Sequence, residues 1–383
     1  MRTMADVARH AGVSVATVSH VLNATRPVRP ATRDAVLRAI DELGYIHNSL
    51  ARSLVTSRTR SVGLAVSAIS NPYFTEILQG VEAEALATGY GLLIADPHDD
   101  PAHELSVVRM LHERRVDGVI IAPSAEPSAL LEYLDRADVP VVFLDRLVDE
   151  AEPPAYDQVC ADGAPPVREL VEHLAALGHR RIAMVAGLAG LSTTTERIDG
   201  YRQGLRAAGL PFDPALLAHG SSASDGARLA TERLLSGPGR PTAVIAANNA
   251  MTIGALQALR AADLRIPEDI ALVSFDDFEW ADLFSPSLTA VRQPSRDLGR
   301  LALQLLLERL DEPDRAPRTV RLPCTVVHRT SCGCPPGTPV TPASHASAAS
   351  AASEASAGSE ASVASAGSAA SAGSEGAPSP GPG

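Results

Sequence analysis

Five short polar clusters hold the residues best suited to chemistry: Ile69-Ser70-Asn71-Pro72-Tyr73-Phe74, Asp145-Arg146, Thr195-Glu196-Arg197, Asn248-Asn249 and Asp276-Asp277. Their types suit recognition of a polyhydroxylated ligand. Carboxylates and amides exchange hydrogen bonds with vicinal hydroxyls, arginine braces them, and an aromatic face covers apolar C–H. Any single aspartate among them reads more simply as a loop cap, so the weight lies on the clusters converging. Asp145 and Asp276 could serve as acid and base, but nothing in the sequence activates them. There is no Walker loop, no GxGxxG after the first strand, no GxSxG and no metal cluster, so no cofactor and no enzyme activity are expected. The four cysteines are Cys160, Cys324, Cys332 and Cys334. Cys332-Gly333-Cys334 is too close for the usual zinc pair and no second cluster accompanies it, so unpaired thiols and no metal are expected.

A second kind of chemistry sits at the N-terminus, in Ser14 through Asn23. Ser14 can cap a helix by accepting an orphan N–H. Val18, Val21 and Leu22 recur as one apolar stripe, matched by Met4, Val7, Ala8 and Ala11 on a preceding helix. Val15, Ala16, Thr17, Ser19 and His20 point elsewhere and are small or polar. Two short helices joined at Gly12-Val13, the second with a slim outer face, read as a helix-turn-helix. A third helix is expected from about Ala31 to Leu43. Pro30 stands at its start, Ala35, Val36, Ala39, Ile40 and Leu43 face inward, and Gly44 is a C′ residue.

The remaining elements must position the polar clusters. Residues 48–60 form a linker whose Asn48–Thr56 part is about two helical turns, too short to be a stable helix alone. DNA could order it, or it could stay a flexible connection; spacing leaves both open. From Ser61, short apolar runs alternate with amphipathic helices. Strands are expected over Ser61–Val66, Gly91–Ala95, Val116–Ala122 and Val139–Leu144. A second round begins near Val159, with strands at Ile182–Ala186, Ala243–Ala246 and Ala271–Phe275. A helix over Asp297–Leu310 and one final strand over Val320–Val327 follow. Continuous Val/Ile/Leu runs between helices imply strands buried on both faces, hence parallel doubly wound sheets. The fold class is therefore α/β: an all-α headpiece over residues 1–47 and a two-lobed core over 61–333. Lobe 1 is expected over about 61–158 and 294–325, and lobe 2 over about 159–291. Ligands of such sheets bind where strand carboxyl ends face a cleft, which is where the five clusters fall. The Ser/Ala/Gly/Pro-rich residues 334–383 lack the apolar content to order and carry no leucine heptad.

The net charge of −12 is unevenly spread: residues 1–60 hold nine arginines against four acids, a net +5 on an acidic body. A basic head of this kind is a local phosphate-binding footprint. No apolar run is long enough for a membrane span and the N-terminus has no apolar core of a signal peptide, so a cytoplasmic location is expected.

The order of these motifs resembles the lac-repressor family of bacterial transcription regulators over roughly residues 3–331. The resemblance is carried by Met4-Ala5-Asp6-Val7-Ala8 through Gly12-Val13-Ser14, by Thr17-Val18-Ser19-His20-Val21-Leu22-Asn23, and by Leu43-Gly44-Tyr45 and Ala51-Arg52-Ser53-Leu54. In the core it is carried by Val116-Asp117-Gly118, Gly178-His179-Arg180-Arg181-Ile182, Arg197-Ile198-Asp199-Gly200-Tyr201 and Ser285-Pro286-Ser287-Leu288-Thr289. It implies a DNA-binding headpiece on a core like periplasmic sugar-binding proteins. Val15, Ala16 and His20 would then face base edges, and Thr3, Ser14, Thr17, Ser19, Asn23 and Thr32 would hold phosphates. Leu54 resembles the family's minor-groove wedge, with Ala51 and Arg52 along that groove. The implied effector residues are Asn71, Phe74, Asp145, Arg146, Arg197, Asn248 and Asp276.

Two departures bear on the ligand. Many members have Asn-Asp where this chain has Asn248-Asn249. Leu191 and the small residues Gly220 to Ser224 stand where purine-binding members carry an arginine and an aromatic. The expectation is a homodimeric repressor of carbohydrate-related genes that binds a pseudo-palindromic operator in double-stranded DNA and answers to a sugar or sugar derivative. The competing readings are a cytoplasmic sugar-binding protein and a sugar or nucleotide enzyme using the same cleft.

Overall fold

The computed structural model describes residues 2–23, 26–45, 58–67 and 70–334. The linker residues Ala51, Arg52 and Leu54 and the Ser/Ala/Gly-rich tail beyond Cys334 lie outside the described residues.

Among the described residues the headpiece is three helices: α1 (Met4–His10), α2 (Val15–Asn23) and α3 (Pro30–Leu43). Local chemistry starts and stops them. Thr3 and Asp6 form a reciprocal capping box on α1. The Ser14 hydroxyl accepts from the Thr17 N–H at 3.1 Å and so caps α2. Pro30 opens α3, and Gly44 closes it in the left-handed region at φ 58°. Val7, Ala8, Val18, Val36, Ala39 and Tyr45 are buried together, with Met4, Val21, Leu22 and Ile40 around them.

The core holds two six-stranded sheets. The first contains β1 (Ser61–Ala65), β2 (Gly91–Ala95), β3 (Gly118–Ile121), β4 (Val141–Leu144), β5 (Asp157–Asp162) and β11 (Thr319–Pro323), in the order β11-β5-β4-β3-β1-β2. All its pairings are parallel, in registers such as Leu64 opposite Ile120 and Leu144 opposite Val159. The second contains β6 (Ile182–Ala186), β7 (Leu217–His219), β8 (Ala243–Ala246), β9 (Ala271–Phe275), β10 (Thr289–Arg292) and β12 (Thr325–Val327), in the order β12-β10-β9-β8-β6-β7. Of these, β12 runs antiparallel, against β10. The crossover helices are α4 (Pro72–Thr88), α5 (Pro101–Glu113) and α6 (Ser128–Ala137) in lobe 1, then α7 (Ala164–Ala176), α8 (Ser192–Ala207), α9 (Ser224–Ser236) and α10 (Asn249–Ala261) in lobe 2. The late helix α11 (Ser295–Asp311) returns to lobe 1 and packs on α4. The backbones approach closely there: a Cβ added at Gly299 would lie 2.1 Å from the Ile77 carbonyl oxygen, so only glycine fits.

The lobe limits differ from the expectation in two places. β5 is a strand of the first sheet, so the chain leaves lobe 1 after Asp162 instead of after Gln158. An isolated run such as Gln158–Ala161 carries no mark of which sheet it joins. The expected single strand over Val320–Val327 is two strands in two sheets, broken at Cys324. The residues after β12 stay with lobe 2: Ser331 donates to the Leu272 carbonyl at 2.6 Å and accepts from the Thr289 N–H at 2.9 Å. Cys334 is therefore buried and belongs to the core. The chain passes between the lobes three times, near Gly163, at Gln293-Pro294 and at Cys324.

Candidate functional site

The two lobes meet where strands of both sheets end. Asn71, Phe74, Asp145, Arg146, Arg197, Asn248 and Asp276 all line one cleft there. Tyr73, Asp99, Leu191, Thr194, Ser222 and Gln293 join them.

Asp145 follows β4 and Asp276 follows β9, and both turn the chain through the left-handed region, at φ 68° and 75°. Aspartate tolerates that conformation better than most side chains. The turn holds each carboxylate in place, 6% and 5% exposed. The Tyr73 hydroxyl donates to Asp145 Oδ1 at 2.6 Å. Burial and then the Asp145 charge push the Tyr73 phenol well above its usual range, so it stays a neutral donor. Arg146 lies beside Asp145, its Nη1 donating to Asp99 at 2.5 Å and to the Pro123 carbonyl at 2.9 Å. Burial works against the Arg146 charge, yet Asp99 and Asp145 outweigh it and raise its pKa.

Asp276 has neutral partners. Gln293 Nε2 donates to it at 2.6 Å and the Asn249 N–H at 3.3 Å. Burial raises the Asp276 carboxyl above its usual range, only partly opposed by Arg197. Arg197 lies 3.7 Å above the centre of the Phe275 ring and donates to the Ala247 carbonyl at 2.6 Å. Its Nε is buried with no hydrogen-bond partner, as is the Nε of Arg146.

The two asparagines have structural work as well. Asn71 caps α4 through the Tyr73 N–H at 2.9 Å. Asn248 caps α10 through the Met251 N–H at 2.6 Å and donates to the Ser222 carbonyl at 3.2 Å. Asn249 links the lobes, its Nδ2 donating to Asn71 Oδ1 at 2.6 Å. An aspartate at 249 would place acceptor against acceptor. The free volume in the cleft is about 60 Å³, well below the roughly 300 Å³ at which ligand pockets begin. A larger hollow of about 670 Å³ lies on the outside of lobe 2, between Leu256, Arg260, Ile266 and Phe284. Its lining carboxylates, Asp263 and Glu268, are exposed, unlike the buried Asp145 and Asp276 of the cleft.

Sequence reasoning placed Tyr73 in the first cluster without giving it a role, and passed over Asp99 and Gln293. Asp99 follows β2, so the strand-end rule that found the other loops could have found it. Tyr73 is adjacent to Phe74, and its partner is 72 positions away. Gln293 stands at an interlobe crossing, and no local pattern marks it.

On the headpiece, Val15 is 47% exposed and Ala16 is exposed, while Val18 is fully buried. Thr17, Ser19, His20 and Thr32 are half-buried. The hydroxyls of Thr3 and Ser14 are engaged in capping, with Thr3 donating to Asp6 at 2.8 Å. Asn23 is the last residue of α2. Among the described residues no helix is long and apolar enough to cross a membrane.

Comparison with known proteins agrees with this architecture. Residues 3–48 match the family described as bacterial regulatory proteins, lacI family. Residues 171–332 match a periplasmic binding protein-like domain. The chain is 36% identical over 341 residues to the HTH-type transcriptional repressor PurR of Vibrio atlanticus, covering 86% of this chain and 98% of that protein. It is 35% identical over 332 residues to PurR of Vibrio vulnificus, covering 84% and 96%. Among solved structures it is similar to a transcriptional regulator CelR–cellobiose complex (TM-score 0.67, 34% identity, 86% of this chain and 100% of that one). It is also similar to the lac repressor dimer bound to operator and the anti-inducer ONPF (TM-score 0.76, 28% identity, 86% and 99%). A helix-turn-helix headpiece, two parallel α/β lobes and this similarity over nearly the whole described length lead to one conclusion: the chain belongs to the lacI family of bacterial regulatory proteins, a family of DNA-binding transcriptional repressors.

Proposed function

We propose that the protein represses transcription as a homodimer on a pseudo-palindromic operator and that a sugar or sugar derivative bound in the interlobe cleft controls it. The observation that carries this reading is the cleft itself. Two buried aspartates, two arginines, Asn71 and Asn248 converge there beside the Phe74 ring. That set matches vicinal hydroxyls and an apolar sugar face. The similar CelR structure holds cellobiose. The PurR repressors among the relatives raise purines as the second class. Leu191, which lines the cleft here, stands where the resemblance places the arginine of purine-binding members, and Ser222, also in the lining, belongs to the small-residue loop Gly220 to Ser224 near which it places their aromatic.

On DNA, Val15 and Ala16 offer only apolar contact, for instance to a thymine methyl, while His20 supplies a hydrogen bond. Thr3, Ser14, Thr17, Ser19, Asn23 and Thr32 set the register on phosphates. Leu54 is assigned the minor-groove wedge, flanked by Ala51 and Arg52. Effector binding in a cleft this tight requires the lobes to part, and that movement couples the ligand to the DNA-binding end.

The test is anisotropy of labelled palindromic DNA titrated with the full chain, alone and with a panel of mono- and disaccharides and purine bases. The expected result is salt-dependent, sequence-selective binding that one sugar class shifts at least tenfold. A purine base acting where no sugar does would overturn the effector class. Binding that prefers no sequence would overturn the regulator reading. Leu54→Ala is expected to weaken specific binding far more than nonspecific binding; equal losses would remove the wedge role.

A further inference from the structure

The cleft does not account for a second cluster of reactive side chains at the end of lobe 2. The chain after β12 passes the starts of β10 and β9, at Thr289 and Leu272, and buries Cys332 at 0% exposure and Cys334 at 6%. His328, just after β12, and His173, on α7, face them. Their rings are 4.3 Å apart, centre to centre. His173 Nε2 lies 3.4 Å from Cys332 Sγ and 3.1 Å from Cys334 Sγ. Donor atoms of His173, His328 and Cys334 all lie within 4.8 Å of one another. Helix, strand end and terminal segment thus bring together residues up to 161 positions apart.

We propose that His173, His328, Cys332 and Cys334 form a structural zinc site that fastens the C-terminal end of the core to lobe 2. The Cys-x-Cys spacing, shorter than the usual zinc pair, points away from a metal in the sequence, but the fold adds His173 from α7 and His328 from the end of β12. Two thiolates and two imidazoles are a donor set that zinc takes in tetrahedral geometry, with no position left for a substrate. His328 Nδ1 is buried without a hydrogen-bond partner, a cost that a metal would remove. The other ring nitrogen of His328 lies 3.9 Å from Glu169 Oε1. A carboxylate behind a ligating histidine is the usual outer support of a zinc site. The Thr289 hydroxyl, 3.2 Å from Cys332 Sγ, gives that sulfur a further donor.

The sulfur separation bears on the alternatives. At 3.1 Å the two Sγ atoms are not bonded. Two thiolates on a tetrahedral zinc, each about 2.3 Å from it, stand about 3.8 Å apart. Loading the site therefore widens the pair by under an ångström, a change the short loop at Gly333 can absorb, since this glycine has φ 90° and a Cβ built on it would meet only Pro267, at 4.0 Å. Cys160 and Cys324 are different: burial pushes both thiols up to about 12. They serve as controls.

The experiment is elemental analysis of the full chain, purified without a metal-affinity tag and desalted, with thiol titration of the same sample. One zinc per chain is expected in the wild type, Cys160→Ser and Cys324→Ser. Cys334→Ser and His328→Ala are expected to lose that equivalent. Should those two variants fail to fold, cobalt substitution of the wild type decides: a thiolate-to-cobalt charge-transfer band with intense tetrahedral ligand-field bands supports the site. A strong chelator should also lower the melting temperature of the wild type. No zinc with all thiols free, a Cys332–Cys334 disulfide in the fresh protein, an octahedral cobalt spectrum, or zinc that persists in the folded Cys334→Ser variant would each overturn the proposal.

Discussion

Asp145 and Asp276 occupy matching places. Each follows the third strand of its sheet, β4 or β9, and each is nearly buried at positive φ. Their surroundings differ. Asp145 has the buried Arg146 beside it, clamped in turn by Asp99, and the Tyr73 hydroxyl at 2.6 Å. Asp276 has an amide and a backbone N–H, and its nearest arginine is drawn toward the Phe275 ring and the Ala247 carbonyl. Lobe 1 therefore neutralises its charges internally, whereas lobe 2 leaves a buried carboxylate under-compensated. The difference assigns stability chiefly to the first site and responsiveness to the second.

Removing the two arginines in turn is the strongest way to break that distinction. Arg146→Ala strands Asp145 and Asp99 without their cation and should destabilise the fold by about 3–5 kcal/mol, the usual cost of breaking a buried pair. Arg197→Ala removes one hydrogen bond, a ring contact and the partial compensation of Asp276, and should cost only about 1–2 kcal/mol. Urea melts compare them directly; equal losses would end the distinction. The next effect concerns the latch between lobes. Asn249→Asp sets a carboxylate against Asn71 Oδ1, replacing a 2.6 Å hydrogen bond with repulsion. The lobes should part, seen as a larger radius of gyration by small-angle scattering; an unchanged radius would show that the bond does not hold the cleft shut.

The smallest effect is the pH response of Asp276. Burial holds its folded pKa above the unfolded value, so the folded state keeps its proton longer. Stability then falls as pH rises from the ordinary aspartate range through the folded pKa, and is flat above it. Asp276→Asn should remove that slope and leave a variant about 0.5–1 kcal/mol more stable near neutrality, as relief of a buried charge allows. Melts from acid to neutral pH check the sign. A steeper slope in the variant would contradict it.

What the sequence revealed follows from range. The Ser14 cap, Pro30 and Gly44 act within a few residues, and the three headpiece helices are legible from them. The cleft was legible through a topological rule, because loops after parallel strands converge whatever their sequence. Side-chain partnerships were not. Tyr73 meets Asp145, Gln293 meets Asp276, and His173 meets Cys334 only because the sheets bring distant loops together. The sheet joined by β5 was illegible for the same reason, since an apolar run specifies a strand and leaves its neighbours open.

The 60 Å³ cleft also bears on how strongly any effector can act. A protein whose binding-competent form is a fraction f of the population shows an affinity weakened by that same fraction, so about 1% open means about a hundredfold toll on every ligand. The Asn71–Asn249 hydrogen bond helps to set f. For an effector bound there it would act as a gain control: weakening it from the Asn249 side, which does not line the cleft, would raise sensitivity and leave Asn71 and the other lining residues in place.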